Sequence, residues 1–204
     1  MPSVPAGPAR VPHRRLVLAS TSPYRRALLE RLRVPFEVVH PGVDETALPG
    51  EPPEALSERL ARAKARAVVA SFPDALIIGS DQVAILDGHA LSKPGSHANA
   101  VAQLRAMRGR TIRFLSALAV HDAGSGATEA AVVPTDVEFR AYSDAEIERY
   151  LALEAPYDCA GSAKSEALGI VLIRAIRGDD PTALVGLPLV ALVDLLAAHG
   201  YRVL

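Results

Sequence analysis

Residues 75–79 read Ala-Leu-Ile-Ile-Gly, an uninterrupted apolar run between Pro73-Asp74 and the polar Ser80-Asp81-Gln82. A half-solvated strand alternates apolar with polar residues, so a fully apolar strand reads as one in the middle of a sheet. The neighbouring chain reads as further strands and helices. Residues 16–19 form another short apolar strand. It runs into Ser22 as a helix N-cap and Pro23 at the first helical position, with an amphipathic stretch over 24–33 behind them. Residues 36–40 read as a second strand. Pro53 then opens a helix reaching about residue 71, with Leu56, Leu60, Ala63, Ala67 and Val68 on one face.

Beyond the apolar run, residues 83–86 stay extended to an Asp87-Gly88 hairpin signal. A helix over 96–107 closes at Gly109, and strands over 111–121 and 130–140 are joined by a long hairpin through 122–126. Ser143 and Glu146 make a capping box for a helix to 154. After an irregular 155–169 come a strand over 170–176, a turn at 178–181 and a last helix over 189–199, ended by Gly200. Strands and helices alternate, but the hairpin interrupts them. The expected fold is a single α/β domain with a mixed sheet over 16–204. Residues 1–15 hold four prolines and no apolar block, which reads as a disordered tail. They lack the order of a secretory signal, so the expected location is the cytoplasm.

Composition excludes several classes of function. The chain has 22 basic against 23 acidic side chains, for a net charge of −1, which gives no electrostatic reason for a nucleic-acid or anionic-membrane partner. Its apolar runs are too short to cross a bilayer. One cysteine, Cys159, permits no intrachain disulfide, and the six histidines are scattered without H-x-x-x-H spacing. Any metal would then be a hard cation on oxygen ligands. No G-x-S-x-G elbow, Walker loop or G-x-G-x-x-G turn is present.

Four features remain as candidates for chemistry. At 20–26 a helix start carries Arg25 and Arg26 in its first turn, against the helix dipole. A bound anion would relieve that arrangement, although a solvated basic turn would look the same. Asp81, expected at the carboxyl end of the strand over 75–79, is placed where α/β sheets bind ligands; it reads as a general base or metal ligand, or else as a turn residue. Asp44-Glu45 is an acidic pair in a loop, the kind that is often merely solvated. The chain also contains 19 arginines and only three lysines, Lys64, Lys93 and Lys164. In such a background a lysine suits a compact point charge on phosphate oxygens, with chance as the rival explanation.

Taken in order, several short motifs resemble the Maf nucleotide pyrophosphatases from about residue 16 to about 200. They are Leu-Ala-Ser-Thr-Ser-Pro-Tyr-Arg-Arg-Ala-Leu-Leu (18–29), Val-Asp-Glu (43–45), Ala-Arg-Ala-Lys-Ala (61–65), Gly-Ser-Asp-Gln-Val (79–83), Ser-Lys-Pro (92–94), Ala-Gly-Ser (160–162) and Val-Gly-Leu-Pro (185–188). The resemblance implies two lobes around a deep cleft, similar to the inosine-triphosphate pyrophosphatases. It also implies a divalent cation (Mg²⁺ or Mn²⁺), a homodimer, and hydrolysis of a nucleoside triphosphate to monophosphate and diphosphate. Residue by residue, Asp81 matches the family's proton acceptor, and Arg25, Glu45, Lys64 and Lys93 match its other polar cleft residues. Ser20, Ser22 and Arg25 would bind substrate, and Glu45 with Asp81 would hold the metal.

Three positions depart from the dTTP/UTP branch of that family. Where that branch has an arginine, a threonine and a glutamine, this chain has Tyr24, Gln82 and Glu166. The run Cys-Ala-Gly-Ser-Ala-Lys-Ser-Glu (159–166) looks like the branch that hydrolyses 7-methyl-GTP. Methylation at N7 makes guanine cationic. Tyr24 removes a like charge and offers a ring face worth roughly 0.5–2 kcal/mol to a cation, and Glu166 could pair with the base. The alternatives are a dTTP/UTP or broad modified-nucleotide pyrophosphatase, and a non-catalytic regulator of septum formation.

Overall fold

In the computed structural model residues 14–204 are described, so the expected N-terminal tail lies outside the described residues except for Arg14 and Arg15. Those two side chains are tied down. Arg14 pairs with Asp122, while Arg15 pairs with Glu37 and lies 4.7 Å from the centroid of the Phe72 ring.

The chain runs β1 (Leu16–Ala19), α1 (Pro23–Glu30), β2 (Glu37–Val39), α2 (Pro53–Arg66), β3 (Leu76–Leu86) and β4 (His89–Leu91). It continues as α3 (His97–Met107), β5 (Thr111–Asp122), β6 (Thr128–Phe139), α4 (Asp144–Glu154), β7 (Ile173–Arg177) and α5 (Leu189–Ala198). One seven-stranded sheet takes the order β2-β1-β3-β5-β6-β7, with β4 paired to β3. β1 is parallel to β2 and β3, and the remaining pairs are antiparallel, which is the mixed sheet expected.

The two-residue period of the strands sorts the core. Leu16, Leu18, Leu76, Ile78, Leu118 and Val120 face α1 and α5. Their neighbours Val17, Ala19, Ile77, Ala117 and Ala119 face Ala61 and Ala65 of α2. β3 is therefore covered on both faces, and it lies in the middle of the sheet as expected. A separate core joins Ile112, Phe114, Val137 and Phe139 to α3 and α4. Fully burying a side chain of this size contributes about 1.5–3 kcal/mol before chain entropy is counted, so each region has its own reason to pack. The candidate site lies between them.

Several boundaries differ from expectation for local reasons. α1 stops at Glu30 rather than 33, because Arg33 turns left-handed (φ 54°) two residues before Pro35. α2 stops at Arg66, and Val69–Ser71 form a separate 3-10 turn before Pro73. The strand expected over 170–176 begins at Ile173. β6 ends at Phe139, the partner of Ile173, so residues 170–172 have no ladder to join and coil into a 3-10 turn. The capping box forms as expected: Ser143 Oγ accepts from Glu146 N–H, and Glu146 accepts from Ser143 N–H.

Candidate active site

β1 occupies one edge of β3 only as far as Leu18↔Ile78, and β4 takes up the same edge from Ala84 onward. Between them residues 79–83 have no strand partner on that edge among the described residues, while their other edge stays in register with β5. A cavity of about 760 Å³ opens at this gap. Asp81 therefore lies in the middle of a continuous strand, not at the end of one. The polar trio fails to break β3 because each side chain finds a distant partner. Ser80 Oγ lies 2.8 Å from Gly186 O, Asp81 meets Lys64, and Gln82 reaches Ser116 and the 183–184 carbonyls.

Asp81 projects toward α2, from which Lys64 projects back. Lys64 Nζ lies 2.7 Å from Asp81 Oδ1 and 2.7 Å from Glu45 Oε1, with Lys64 only 4% and Asp81 7% exposed. Burial pushes the Asp81 carboxyl above its ordinary range, outweighing Lys64 and Arg25, with Glu45 adding to the rise. Partial burial works the same way on Glu45, but the hydrogen bond and charge of Lys64, with Lys93 and Arg25 beyond, hold it low. Two carboxylates with opposite shifts share one ammonium. The one poised toward neutrality is the better proton acceptor.

Facing this bridge is the amino end of α1. Ser22 Oγ caps the helix at Arg25 N–H, and Ser20 Oγ accepts from Ser22 N–H at 3.2 Å. The guanidinium of Arg25 donates through Nε to Gly186 O at 2.9 Å and reaches Ser20 Oγ at 3.5 Å. Desolvation lowers its pKa, against the pull of Asp81 and Glu45. A desolvated cation beside open helical N–H groups is a place for an anion. Lys93, on the loop between β4 and α3, is exposed, and its charge reaches Glu45. The acidic pair divides: Glu45 joins the site, while Asp44 accepts from Thr46 N–H in its own turn.

Tyr24 is half-buried at the cavity wall, with Lys164 Nζ 5.7 Å from its ring centroid and 3.2 Å from Asp158. Glu166 stands exposed at the rim. Gln82 spends its amide N–H groups on Ser116 Oγ (2.8 Å), Ala183 O (3.1 Å) and Leu184 O (2.9 Å), so it holds the loop forming one wall. Ser20, Ser22, Tyr24, Arg25, Glu45, Lys64, Asp81, Gln82, Lys93 and Glu166 thus line one cavity. Reasoning from sequence picked out 185–188 and 159–166 as motifs but gave the 184–186 wall and Cys159 no place in the cavity, and it missed Asp158; the wall, Cys159 and Asp158 also line it. One signal was present: Ser116 is a lone hydroxyl in the apolar middle of β5, and it donates to Ala183 O at 2.6 Å.

Cys159 is held in its thiol form. Burial pushes its thiol up to about 12, with Asp158 adding to the rise, so it stays protonated at neutral pH. We expect iodoacetamide to label it far more slowly at pH 7.5 than a free thiol, and Cys159→Ser to retain activity.

Glu45 and Asp81 offer hard oxygen donors suited to Mg²⁺ or Mn²⁺. No group of three or more His, Cys, Asp or Glu gathers as a metal set among the described residues. Two carboxylates completed by substrate oxygens and water match the usual binding of Mg²⁺, so the donor set fits the ion.

A profile of the family described as "Maf-like protein" matches residues 15–199. The 7-methyl-GTP pyrophosphatase of Paraburkholderia xenovorans is 60% identical over 93% of this chain and 94% of its own. Proteins of the same name from Albidiferax ferrireducens (58%, covering 94% of this chain and 96% of that one) and Polaromonas sp. (60%, covering 92% and 85%) are similarly alike. The solved structure of the Staphylococcus aureus Ham1 protein superposes more loosely, with a TM-score of 0.46 at 16% identity over 63% of this chain and 73% of that one.

Proposed function

The chain belongs to the Maf family, and from that premise we propose that it hydrolyses 7-methyl-GTP to 7-methyl-GMP and diphosphate. The observation that carries this reading is the buried Lys64–Asp81 pair, extended to the exposed Glu45, at the open edge of β3, opposite Arg25 and the α1 amino end. A triphosphate carries about four negative charges, and its transition state spreads them over oxygens that fixed cations must meet. Arg25, Lys64 and Lys93 are those cations. Asp81, with its raised pKa, takes the proton from water attacking the α-phosphate. Ser20, Ser22 and the open N–H groups of α1 orient the phosphates. Glu45 and Asp81 would hold Mg²⁺ or Mn²⁺, which when bound offsets phosphate charge as a Lewis acid. Tyr24 and Glu166 turn the pocket toward a cationic base, and Gln82 fixes the wall beside it. The same reading carries a small-molecule nucleotide as the partner, a cytoplasmic location and a homodimer. No helix among the described residues is long and apolar enough to cross a membrane.

Side-by-side kinetics test the reading. Turnover should favour 7-methyl-GTP over GTP, and both over dTTP and UTP. Glu166→Gln trades a charged partner for a neutral one and should lower the 7-methyl-GTP to GTP ratio of kcat/KM about 10-fold. Equal or better turnover of dTTP or UTP by the natural sequence would refute the base assignment.

A further inference from the structure

Gln103 of α3 does not line the cavity, yet both ends of its carboxamide are committed to loops that do. Nε2 donates to Ser92 O at 2.8 Å, beside Lys93; Oε1 accepts from Ser162 Oγ at 2.7 Å, on the segment leading to Lys164 and Glu166. Ser162 is fully buried and left-handed (φ 52°), following a left-handed Gly161 (φ 73°) packed against the Phe114 ring. A non-glycine residue held there needs outside support. A second tie, Gly95 N–H to Tyr157 O at 3.0 Å, joins the same two loops.

We propose that Gln103 is a positioning residue for this site: one side chain sets the spacing between the loop bearing Lys93 and the loop bearing Lys164 and Glu166. This inference rests on the reading that Lys93 serves the triphosphate and Glu166 the base. The two ends of the amide then have separable effects. Gln103→Glu keeps the acceptor for Ser162 but sets a carboxylate against Ser92 O. It should lower kcat/KM about 10-fold for 7-methyl-GTP and GTP alike, because both carry the triphosphate. Ser162→Ala releases only the other loop and should lower the ratio between the two nucleotides about 3- to 10-fold. Gln103→Leu should do both.

Amide hydrogen exchange gives a readout independent of catalysis. In Gln103→Leu, residues 92–95 and 160–166 should both lose protection while the β3–β5 ladder keeps its own. Losses equal for both nucleotides in all three variants, or unchanged exchange in the two loops, would overturn the proposal. If the natural sequence hydrolyses neither nucleotide, the functional reading fails, and the exchange result still decides whether Gln103 ties the loops.

Discussion

Asp81→Asn is expected to lower turnover of nucleoside triphosphates by at least about 10², with the melting temperature unchanged or raised. The amide is isosteric and keeps an oxygen for Lys64 Nζ, now 2.7 Å from Asp81 Oδ1, but it cannot accept the proton of an attacking water. The stability side follows from the sign of the shift. Burial raises the Asp81 pKa in the folded chain, so the native state binds this proton more tightly than the unfolded state does. The group's favourable contribution is complete below the unfolded value of about 3.9 and is lost as pH rises through the raised folded value. At neutral pH the carboxylate is therefore ionised at a cost, and asparagine removes that cost while Glu45 keeps Lys64 partnered. Melts over a pH series should show the variant gaining on the natural sequence as pH rises. The acid limb of kcat/KM in the natural sequence should fall above the ordinary aspartate range. An active Asp81→Asn would remove Asp81 from the mechanism.

What could be read from the sequence was local. The N-cap at Ser22, the capping box at Ser143 and the apolar run over 75–79 each act within a few residues; the two caps form as expected, and the apolar run is a buried strand from Leu76 onward. The continuation of β3 through Ser80-Asp81-Gln82 was not legible, because three polar residues after a glycine ordinarily end a strand. They stay in the ladder only because Lys64 lies 17 positions back and the 183–186 carbonyls lie about a hundred positions ahead. The same limit applies to Gln82. Its amide turns to the far loop rather than to open space, a pairing no periodicity encodes. The candidate residues were chosen by type and motif, and their assembly in one cavity depends on β1 ending short of Gly79 and β4 starting beyond Val83. The tie from Gln103 to Ser92 and Ser162 likewise needed the folded chain, since an ordinary helical glutamine has no sequence mark.

Gly79→Ala should produce a large stability loss for a change of one methyl group. A Cβ at Gly79 would lie 2.1 Å from Ala61 O and 2.6 Å from Ala65 N, with Ala65 Cβ at 3.1 Å. Two of those contacts are backbone atoms of α2, which cannot rotate away as a side chain would, so either the helix or the strand must move. Overpacking a core usually costs about 1–3 kcal/mol and occasionally more; a clash between main chains belongs at the upper end, about 3 kcal/mol. For a domain of this size that lowers the melting temperature by roughly 6–12 °C. The functional loss follows from the same contact. Lys64 lies on α2 between Ala61 and Ala65, so the close approach permitted by Gly79 is what brings its ammonium to Asp81. Lifting α2 by about 1 Å stretches the 2.7 Å bond and misplaces both groups, which at a preorganised site costs about 10² in turnover. Melting and turnover should therefore fall together in Gly79→Ala, whereas in Asp81→Asn only turnover falls. A Gly79→Ala protein that melts within about 1 kcal/mol of the natural sequence yet loses turnover would mean the helix yields easily. One that keeps both would show that the α2–β3 contact does not set the position of Lys64.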